Sequence, residues 1–398
     1  MYNWAMKHIA ALIVTLVLTA CGGGGGGGGA TTSPTPSSTA PVLRQAGAIT
    51  QNNSNLVYNT AVGDVNGDGL QDIVVSGWNS DRDTAYVRIF TQNADGSLQD
   101  STSMLPSNAI HGSQHVFIAD FDNDGKNDIW LPGFLDGTSI RPTTSVMFWG
   151  GNGAFTRQDF TEQVMAHGAC IDDLNNDGKL DMVVAGGGIY FNNGNRTFTL
   201  NTTLLNGNNY FSACAVAHQS NGNVDILLGN NYYVAGYHNN INTYDSSMNF
   251  ITSTGVTGHN TEDLINALAT DVNGDGHKDF IAIYNDNGTN TGGPVVETLV
   301  NIGANSYSVG SVIDHVNNEY HGYLFTLNGT PSVFLPSYNT GSRVYQITAN
   351  NITPYKSGDF TSMCGSASWC DASAVYVGNN KVFMFQLQDQ YFYTKEML

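Results

Sequence analysis

The sequence predicts an all-β fold built from repeat units of about fifty residues, each made of short antiparallel strands. The first observation is a motif that occurs four times in the 398-residue chain, D-x-[DN]-x-D-G-x-x-D, followed at once by a short apolar run. Its copies begin at Asp64, Asp120, Asp173 and Asp271. Their starts lie 56, 53 and 98 residues apart, so the last interval is close to twice the others. The spacing therefore predicts an altered unit between the third and fourth copies.

Altered units are the second observation. The segment AHQSNGNVDILLG keeps Gly222 and Asp225 in register when Ala217 is taken as position 1, but it has lost the acidic residues at the other positions. Two more units keep only turn residues of the motif, namely Asn328 with Gly329 and Gly378 with Asn379. The chain thus contains seven units, and repeats of this length are typical of propellers and solenoids.

A second hairpin in each unit is the third observation. Turn signals near Gly151, Gly194 and Gly303 separate further strand-like segments. Two hairpins give four strands, which is the size of a propeller blade. The last unit ends after its third strand, near residues 391–398, and residues 42–49 precede the first unit and can supply the missing strand. We therefore predict a seven-bladed β-propeller of four-stranded blades, closed by an N-terminal strand that completes the last blade.

The repeated motif has the chemistry of a calcium loop. Hard cations bind six to eight oxygens from carboxylates, amides and backbone carbonyls, and the glycine at position 6 permits the sharp turn around the ion. The side-chain positions contain no thiol or imidazole, which disfavours zinc and copper. The expected side-chain ligands are Asp64, Asn66, Asp68 and Asp72; Asp120, Asp122, Asp124 and Asp128; Asp173, Asn175, Asp177 and Asp181; and Asp271, Asn273, Asp275 and Asp279. The expected carbonyl ligands, at position 7, belong to Leu70, Lys126, Lys179 and His277.

Two alternatives to this calcium loop can be weighed. An EF-hand needs a bidentate Glu at position 12 and flanking helices, whereas these loops have Val75, Leu131, Val184 and Ala282 there. A plain Asx-Gly turn without metal is the other alternative. Four loops with three or four carboxylates each would be self-repelling without a cation. The sequence therefore predicts about four structural Ca²⁺ ions.

These motifs resemble the FG-GAP/VCBS repeat family, the seven-bladed propellers of integrin alpha-chain heads and many bacterial surface proteins. The resemblance covers residues 42–398, with strong motifs in four units and weak ones in three. It implies that the calcium loops join the inner two strands of each blade on the lower face. It does not imply one function, because this scaffold is found in lectins, adhesins and some polysaccharide-cleaving enzymes.

The N-terminal residues predict export and a lipid anchor. Residues 1–20 contain Lys7, His8 and the apolar run IAALIVTLVL, which is typical of a secretory signal and too short for a membrane span. The signal ends in LTAC, which resembles a bacterial lipobox with Cys21 as the lipidated residue; an ordinary signal with a chance cysteine is the alternative. Residues 21–41 form a Gly/Ser/Thr/Pro-rich tether, and residues 42–398 form one domain. We expect anchoring in the outer membrane of a Gram-negative bacterium.

The composition limits the partners. The formal net charge is −19 at pH 7, which argues against nucleic acid and against anionic lipid as direct partners. We expect a monomeric domain that meets the membrane only through its anchor. Cys364 and Cys370 lie close in sequence and are expected to form a disulfide in an exported protein. Cys170 and Cys214 occupy equivalent places in neighbouring inner strands, where we expect free buried thiols because neighbouring blades are too far apart to bridge.

The face opposite the calcium loops is the predicted ligand surface. Loops at that face carry a ring of aromatic and imidazole groups suited to stacking on sugars and to binding hydroxyl groups. The residues expected to contact ligand are Trp78, Phe134, His167, Tyr232, Tyr284, His321 and Tyr338, and His115 belongs to the same ring. Simple packing between blades is the alternative for each of them.

These observations predict a calcium-binding cell-envelope lipoprotein that acts as a binding or adhesion module for a glycan or a surface protein. A polysaccharide lyase or hydrolase on the same scaffold is the first alternative, with His167 or His321 and a nearby tyrosine as catalytic groups. The chain has no G-x-S-x-G or H-E-x-x-H motif, and the loop carboxylates are committed to metal, so we expect no enzyme. A structural envelope component is the second alternative.

Overall fold

The protein is an all-β chain in which short antiparallel strands follow one another from end to end. The computed structural model describes the backbone of residues 43–48, 56–78, 85–94, 97–110, 112–134, 143–151, 153–205, 211–230, 238–256, 263–285, 295–303, 305–313, 323–327, 329–335, 343–348, 351–354, 371–378, 381–388 and 391–397. In this part of the chain we find no helix long and apolar enough to span a membrane.

Three blades occupy the N-terminal half of the chain. Their strands are β2 (Leu56–Gly63), β3 (Asp72–Trp78), β4 (Ala85–Gln92), β5 (Leu98–Asp100) and β6 (Ala109–Ile110); β7 (Phe117–Ala119), β8 (Asp128–Leu131), β9 (Thr143–Trp149) and β10 (Thr156–Val164); and β11 (Ala169–Asp172), β12 (Asp181–Val184), β13 (Gly188–Gly194) and β14 (Thr197–Asn201). Each blade is a sheet in sequence order, with β6 added beside β4 in the first. A short 3-10 turn at Thr102–Met104 follows β5.

The rest of the chain forms three more sheets. Their strands are β15 (Phe211–His218), β16 (Val224–Asn230), β17 (Asn240–Tyr244), β18 (Phe250–Gly255), β19 (Asp263–Thr270), β20 (Asp279–Asn285), β21 (Val295–Gly303) and β22 (Ser306–Ile313); β23 (Tyr323–Leu327), β24 (Thr330–Leu335), β25 (Arg343–Thr348) and β26 (Asn351–Pro354); and β27 (Asp371–Gly378), β28 (Lys381–Gln388) and β29 (Tyr391–Met397) with β1 (Leu43–Ala48). Strands β15 to β22 belong to one eight-stranded sheet, which we call the double blade.

The prediction of seven blades is wrong, because the described strands form six hydrogen-bonded sheets. The units that begin with β15 and β19 were expected to be separate. They are joined by a parallel pairing of Asn230, at the end of β16, with Asp263, at the start of β19. The double blade therefore holds two repeat units in one sheet. Its first half is β15–β18 and its second half is β19–β22.

The last blade is closed by the two ends of the chain. Strand β1 runs antiparallel to β29, with Leu43 opposite Lys395 and Gln45 opposite Tyr393. The strand order is β1-β29-β28-β27, so the N-terminal strand supplies the fourth strand of the sheet. Hydrogen bonding between the termini leaves fewer exposed sheet edges.

The apolar core lies between successive blades. The strand segments that follow each motif are continuously apolar because both faces of a blade are covered, as in Ile129, Trp130 and Leu131 of β8. Ile129 packs with side chains of the first blade, whereas Trp130 packs with the third. Successive strand residues thus pack on opposite neighbouring blades, and polar residues lie in the turns at the two ends of each blade.

Candidate metal centres

The four predicted calcium loops all join the first and second strands of a repeat unit. In the first loop (residues 64–72) strand pairing stops at the pair Gly63–Asp72. The second loop (120–128), the third (173–181) and the fourth (271–279) open at the equivalent pairs, which are Ala119–Asp128, Asp172–Asp181 and Thr270–Asp279. Beyond these pairs the backbone of each loop is bound by side-chain oxygens and not by further strand pairing.

Left-handed backbone conformations at positions 4 and 6 make each turn. Position 6 is glycine in all four loops, with φ of +83° at Gly69 and +86° at Gly125. Position 4 is glycine in the first and fourth loops but asparagine in the second and third, and Asn123 has φ of +61°. Glycine and asparagine are the residues that enter this region most readily. The sequence motif gives position 4 no constraint, and its left-handed backbone is visible only in the structure.

Backbone N–H groups orient the carboxylates of the second loop. Asp120 Oδ1 accepts the N–H of Asp124 at 3.1 Å and its Oδ2 accepts the N–H of Gly125 at 2.9 Å. Asp122 Oδ1 accepts the same Asp124 N–H at 3.1 Å, and Asp124 Oδ1 accepts the N–H of Lys126 at 2.9 Å. The third loop repeats this pattern with an amide at position 3. In the first and fourth loops Oδ1 of position 1 accepts the N–H of the position-4 glycine instead. All these side chains thus turn towards the inside of the loop.

The carboxylates of Asp120, Asp122 and Asp124 converge, with one oxygen of each lying within 4.8 Å of the others. Burial raises the pKa of Asp120, and the charges of Asp122 and Asp124 raise it further against the lowering effect of its backbone hydrogen bonds. Crowded carboxylates of this kind favour a bound cation or a proton. Because the converging donors are all oxygens, the group fits a hard cation such as Ca²⁺.

The aspartates at position 9 have a second, architectural role. Asp128 is fully buried; its Oδ2 accepts the N–H of Phe121 at 2.8 Å and its Oδ1 accepts the N–H of Gly150 at 2.7 Å. The first bond closes the loop and the second ties it to the segment after β9. Asp72, Asp181 and Asp279 make the equivalent two bonds. Each carboxylate oxygen has a second lone pair, so these bonds leave room for metal ligation.

Burial shifts the pKa values of these closing aspartates upward. Burial raises the pKa of Asp72 to about 6, and that of Asp128 and of Asp181 to about 7, even though two backbone N–H groups lower each value. The pKa of Asp279 is raised for the same reason. A carboxylate that is costly to ionise in the fold is a strong partner for a cation, which restores its ionised form.

The altered unit between the third and fourth loops forms a closed turn (residues 217–225). Strand pairing continues through Ala217–Asp225 to His218–Val224, so only residues 219–223 remain in the turn. The backbone closes it with the Gln219 N–H bound to the carbonyl of Asn223 at 2.9 Å. This hairpin is tighter than any of the four loops and holds no converging carboxylates.

Protein groups bind the remaining carboxylate of the closed turn. Asp225 is buried; its Oδ1 accepts the hydroxyl of Thr243 at 2.6 Å. Its Oδ2 accepts Gln219 Nε2 at 2.9 Å and the hydroxyl of Tyr307 at 2.6 Å. Tyr307 lies on β22, in the second half of the double blade. Sequence analysis gave no sign of this network because Tyr307 is 82 residues from Asp225.

The prediction of free thiols at Cys170 and Cys214 is wrong. The two residues form a disulfide with a Cα–Cα distance of 5.7 Å. They lie on β11 and β15, the innermost strands of the third blade and of the double blade. Innermost strands of neighbouring blades approach each other closely enough for bridging, which the sequence argument had excluded. The predicted pair Cys364–Cys370 and the lipidation site Cys21 lie outside the described residues.

The structure places only part of the predicted ligand face. Phe134 is 7% exposed and Tyr284 is fully buried among side chains of the double blade. Trp78 is the last residue of β3. The remaining members of the set, namely Tyr232, His321 and Tyr338, lie outside the described residues. Buried aromatic rings at these positions contribute to packing between blades, and the ligand face stays a prediction.

Two histidines lie together at the loop-distal end of the second and third blades. His115 Nε2 donates to the carbonyl of His167 at 2.9 Å, which assigns the proton of neutral His115 to Nε2. The His167 ring meets Phe134 edge to face with centroids 5.4 Å apart. Burial lowers the pKa of His115 to about 4 and also lowers that of His167. Two predicted face residues, Phe134 and His167, are thus brought into contact.

Comparison with known proteins identifies the repeat. Residues 64–131 match the FG-GAP-like repeat family. This FG-GAP-like segment contains the first and second loops, and it supports the resemblance found in the sequence. No curated protein sequence matches the chain.

Two solved structures are similar to the chain as a whole. YCF48 from Cyanidioschyzon merolae has 12% identity and a TM-score of 0.47, with 89% of this chain and 98% of that chain covered. The crystal structure of the V. cholerae biofilm matrix protein Bap1 has 10% identity and a TM-score of 0.44, with 89% of this chain and 70% of that chain covered.

Proposed function

We propose that this protein is a calcium-stabilised β-propeller that acts as a binding module of the cell envelope. Calcium binding is supported by a comparison of the closed turn with the four loops. The closed turn joins the same two strands of a repeat unit without acidic residues at positions 1, 3 and 5. Those carboxylates are therefore not needed for chain reversal, and the convergence of Asp120, Asp122 and Asp124 in the second loop is unfavourable unless a cation binds.

In each loop the residues have distinct roles toward the ion. Side-chain oxygens of positions 1, 3 and 5 would bind it, with the carbonyl of position 7, while the buried position-9 aspartate adds a ligand and fixes the loop to the blade. Calcium supplies the positive charge that balances these groups. Oxygen ligands from a flexible loop suit Ca²⁺ better than Mg²⁺, which demands near-octahedral geometry.

Thermal unfolding with and without calcium tests this part of the proposal. Each site that is tenfold saturated adds about 1.4 kcal/mol to the free energy of unfolding, so chelation should lower the Tm of the full chain. Asp124→Ala should remove part of that calcium response, and Asn66→Ala should remove less because the lost ligand is neutral. Asp245→Ala is the control: this exposed aspartate caps the N–H groups of Ser247 and Asn249 outside any loop. A Tm that is unchanged by EDTA would refute the calcium role.

We further propose that a glycan or a surface protein binds at the face opposite the loops. The support is the ring of aromatic and imidazole groups that the sequence places at that face, of which Phe134 and His167 are in edge-to-face contact in the structure. A glycan array probed in millimolar calcium and again in EDTA tests it. Trp78→Ala should reduce binding without changing the Tm, and loss of both would indicate a packing role. A blank array from folded protein would point to a protein partner.

The proposal also includes a cellular location, the outer membrane. Lipidation at Cys21 would hold the domain at the outer membrane, and the tether of residues 21–41 has an r.m.s. reach of roughly 25 Å. Replacing Cys21 by serine should move the protein from the membrane fraction to the soluble fraction. Retention of the variant in the membrane fraction would contradict lipid anchoring.

A further inference from the structure

The second loop receives a positive side chain from the next blade. Arg196 Nε donates to Asp122 Oδ2 at 2.7 Å, and Arg196 Nη2 lies 4.0 Å from Asp124 Oδ2. The guanidinium also lies over the ring of Trp149, with 5.1 Å from its carbon to the ring centroid. Arg196 belongs to the turn between β13 and β14 of the third blade. This contact therefore links two blades through a group that we assign to metal binding.

The sequence of the second loop matches this contact. Asp122 is at position 3, where the other loops have the neutral amides Asn66, Asn175 and Asn273. The second loop thus carries one more carboxylate than the others, and the additional carboxylate is the one that Arg196 contacts. Arg196 thus gives this additional carboxylate a cationic partner from another blade, whereas in the third loop Lys179 pairs with Asp177 within the loop itself.

The backbone of Arg196 also sets it apart. Asn195 and Arg196 both have positive φ, at +52° and +62°, so they form the two-residue turn that favours Asn-Gly. An arginine in this left-handed conformation is uncommon and costs free energy relative to glycine or asparagine. A residue kept in an unfavourable conformation invites a functional explanation.

The equivalent turn of the double blade provides a natural comparison. Asn305, between β21 and β22, occupies the same turn position with φ of +57°. It faces the closed turn, where its Oδ1 accepts Asn223 Nδ2 at 3.2 Å. A neutral turn residue thus faces the uncharged turn, and a cationic one faces the most acidic loop.

We propose that Arg196 is a built-in counter-ion of the second loop, which competes with a divalent cation for Asp122. This inference rests on the proposed calcium role of the loops. When no metal is bound, the guanidinium neutralises Asp122 and keeps the second loop against the third blade. When Ca²⁺ binds, it must do so beside a fixed positive charge. Removal of this charge should therefore make the second loop more dependent on a cation and raise its affinity for calcium.

The test uses hydrogen exchange in the full chain, because it reports on each loop separately. Exchange is followed in peptides that cover residues 117–131 across a series of free calcium concentrations. Arg196→Asn removes the charge and keeps a residue that tolerates the left-handed turn, as Asn305 does. We expect its second loop to exchange several-fold faster in EDTA and to become protected at about tenfold lower calcium than in the wild type. Arg196→Lys keeps the positive charge, so its second loop should exchange in EDTA, and become protected by calcium, nearly as in the wild type.

Two further variants make the result specific. Arg157→Gln removes an arginine that pairs with Asp159 outside the loops and should leave the peptide unchanged. In the Asp122→Asn background, Arg196→Asn should have little further effect. An unchanged or higher calcium requirement in Arg196→Asn, or equal exchange in EDTA, would overturn the counter-ion role. If calcium protects no loop of the wild type, the calcium proposal fails, while the comparison in EDTA still decides whether Arg196 holds the second loop.

Discussion

The second loop and the closed turn solve the same problem in opposite ways. Both reverse the chain between the first two strands of a repeat unit. The closed turn extends the strand pairing to His218–Val224 and binds its buried Asp225 with protein donors. The second loop stops pairing at Ala119–Asp128 and points carboxylates into the gap. A carboxylate at position 9 is present in both, so it serves the architecture. Acidic residues at positions 1, 3 and 5 are present only in the second loop, for which we propose cation binding.

The largest expected effect comes from removing a position-9 carboxylate. Asp128→Ala leaves the buried N–H groups of Phe121 and Gly150 without their acceptors. Asp225→Ala does the same to the hydroxyls of Thr243 and Tyr307. Each unsatisfied buried donor costs about 1–3 kcal/mol, so we expect a loss of about 4 kcal/mol in either variant. Denaturant unfolding in calcium and in EDTA measures it. The loss for Asp225→Ala should be equal in both conditions; a loss seen only in calcium would mean that the closed turn binds metal.

Removal of the disulfide should have the next largest effect on stability. This bridge joins the unit that contains the third loop to the unit that contains the closed turn. Cys170 lies just before the third loop and Cys214 just before the closed turn. The bridge closes a segment with a sequence separation of 44. Replacing both cysteines by alanine should lower the free energy of unfolding by about 3 kcal/mol.

Reductant separates this bridge from the other cysteines. In reductant, the wild-type protein should have the same stability as the double variant in reductant. Any further fall of the double variant in reductant would report on Cys364 and Cys370. If the double variant is as stable as the wild type, the bridge contributes nothing to the boundary between the third blade and the double blade.

A smaller change tests the protein donors of the closed turn. Tyr307→Phe removes the hydroxyl that donates to Asp225 and leaves Gln219 and Thr243 in place. Hydrogen bonds to a charged acceptor are worth about 1.5–3 kcal/mol, so we expect a loss of about 2 kcal/mol, unchanged by calcium. Tyr244→Phe is the matched control, because its hydroxyl donates to the neutral carbonyl of Leu204. Equal losses in the two variants would show that the charge of Asp225 has no special weight.

Local pattern was enough to predict much of this molecule. The four loops, the strands that follow them and the second hairpins are each encoded within a short stretch of sequence, whereas the closure by the N-terminal strand was predicted from the incomplete last unit. The D-x-[DN]-x-D-G-x-x-D motif specifies its own turn because position 6 requires a left-handed backbone and position 9 precedes a buried strand. Such features need no knowledge of neighbouring blades.

Contacts between blades could not be predicted in the same way. Arg196 contacts Asp122 across 74 residues of sequence, and no sequence motif predicts that these two residues pair. The joining of two units into the double blade depends on one parallel pair, Asn230–Asp263, which no periodicity reveals. Free thiols were favoured over the disulfide by assuming a wide spacing of neighbouring inner strands. Each error concerns the distance between units, which a repeat pattern leaves undetermined.

The smallest expected effect is a pH dependence of stability that arises from His115, at the loop-distal end of the blades, and not from the loops. Burial lowers the pKa of His115 to about 4, below the ordinary value of 6.5. The unfolded chain therefore takes up a proton below pH 6.5 that the folded His115 refuses, so its contribution to stability is complete above pH 6.5 and is lost as the pH falls towards 4. At pH 5.5 the loss should be about 1 kcal/mol.

His115→Gln isolates this effect from the titration of the loop carboxylates. The glutamine amide can still donate to the carbonyl of His167, but it does not titrate. The difference in unfolding free energy between wild type and variant should shift by about 1 kcal/mol between pH 7.5 and 5.5, at saturating calcium. A pH dependence that is identical in His115→Gln and wild type would assign the acid sensitivity to the loops alone, and the two ends of the blades would then differ in metal but not in proton chemistry.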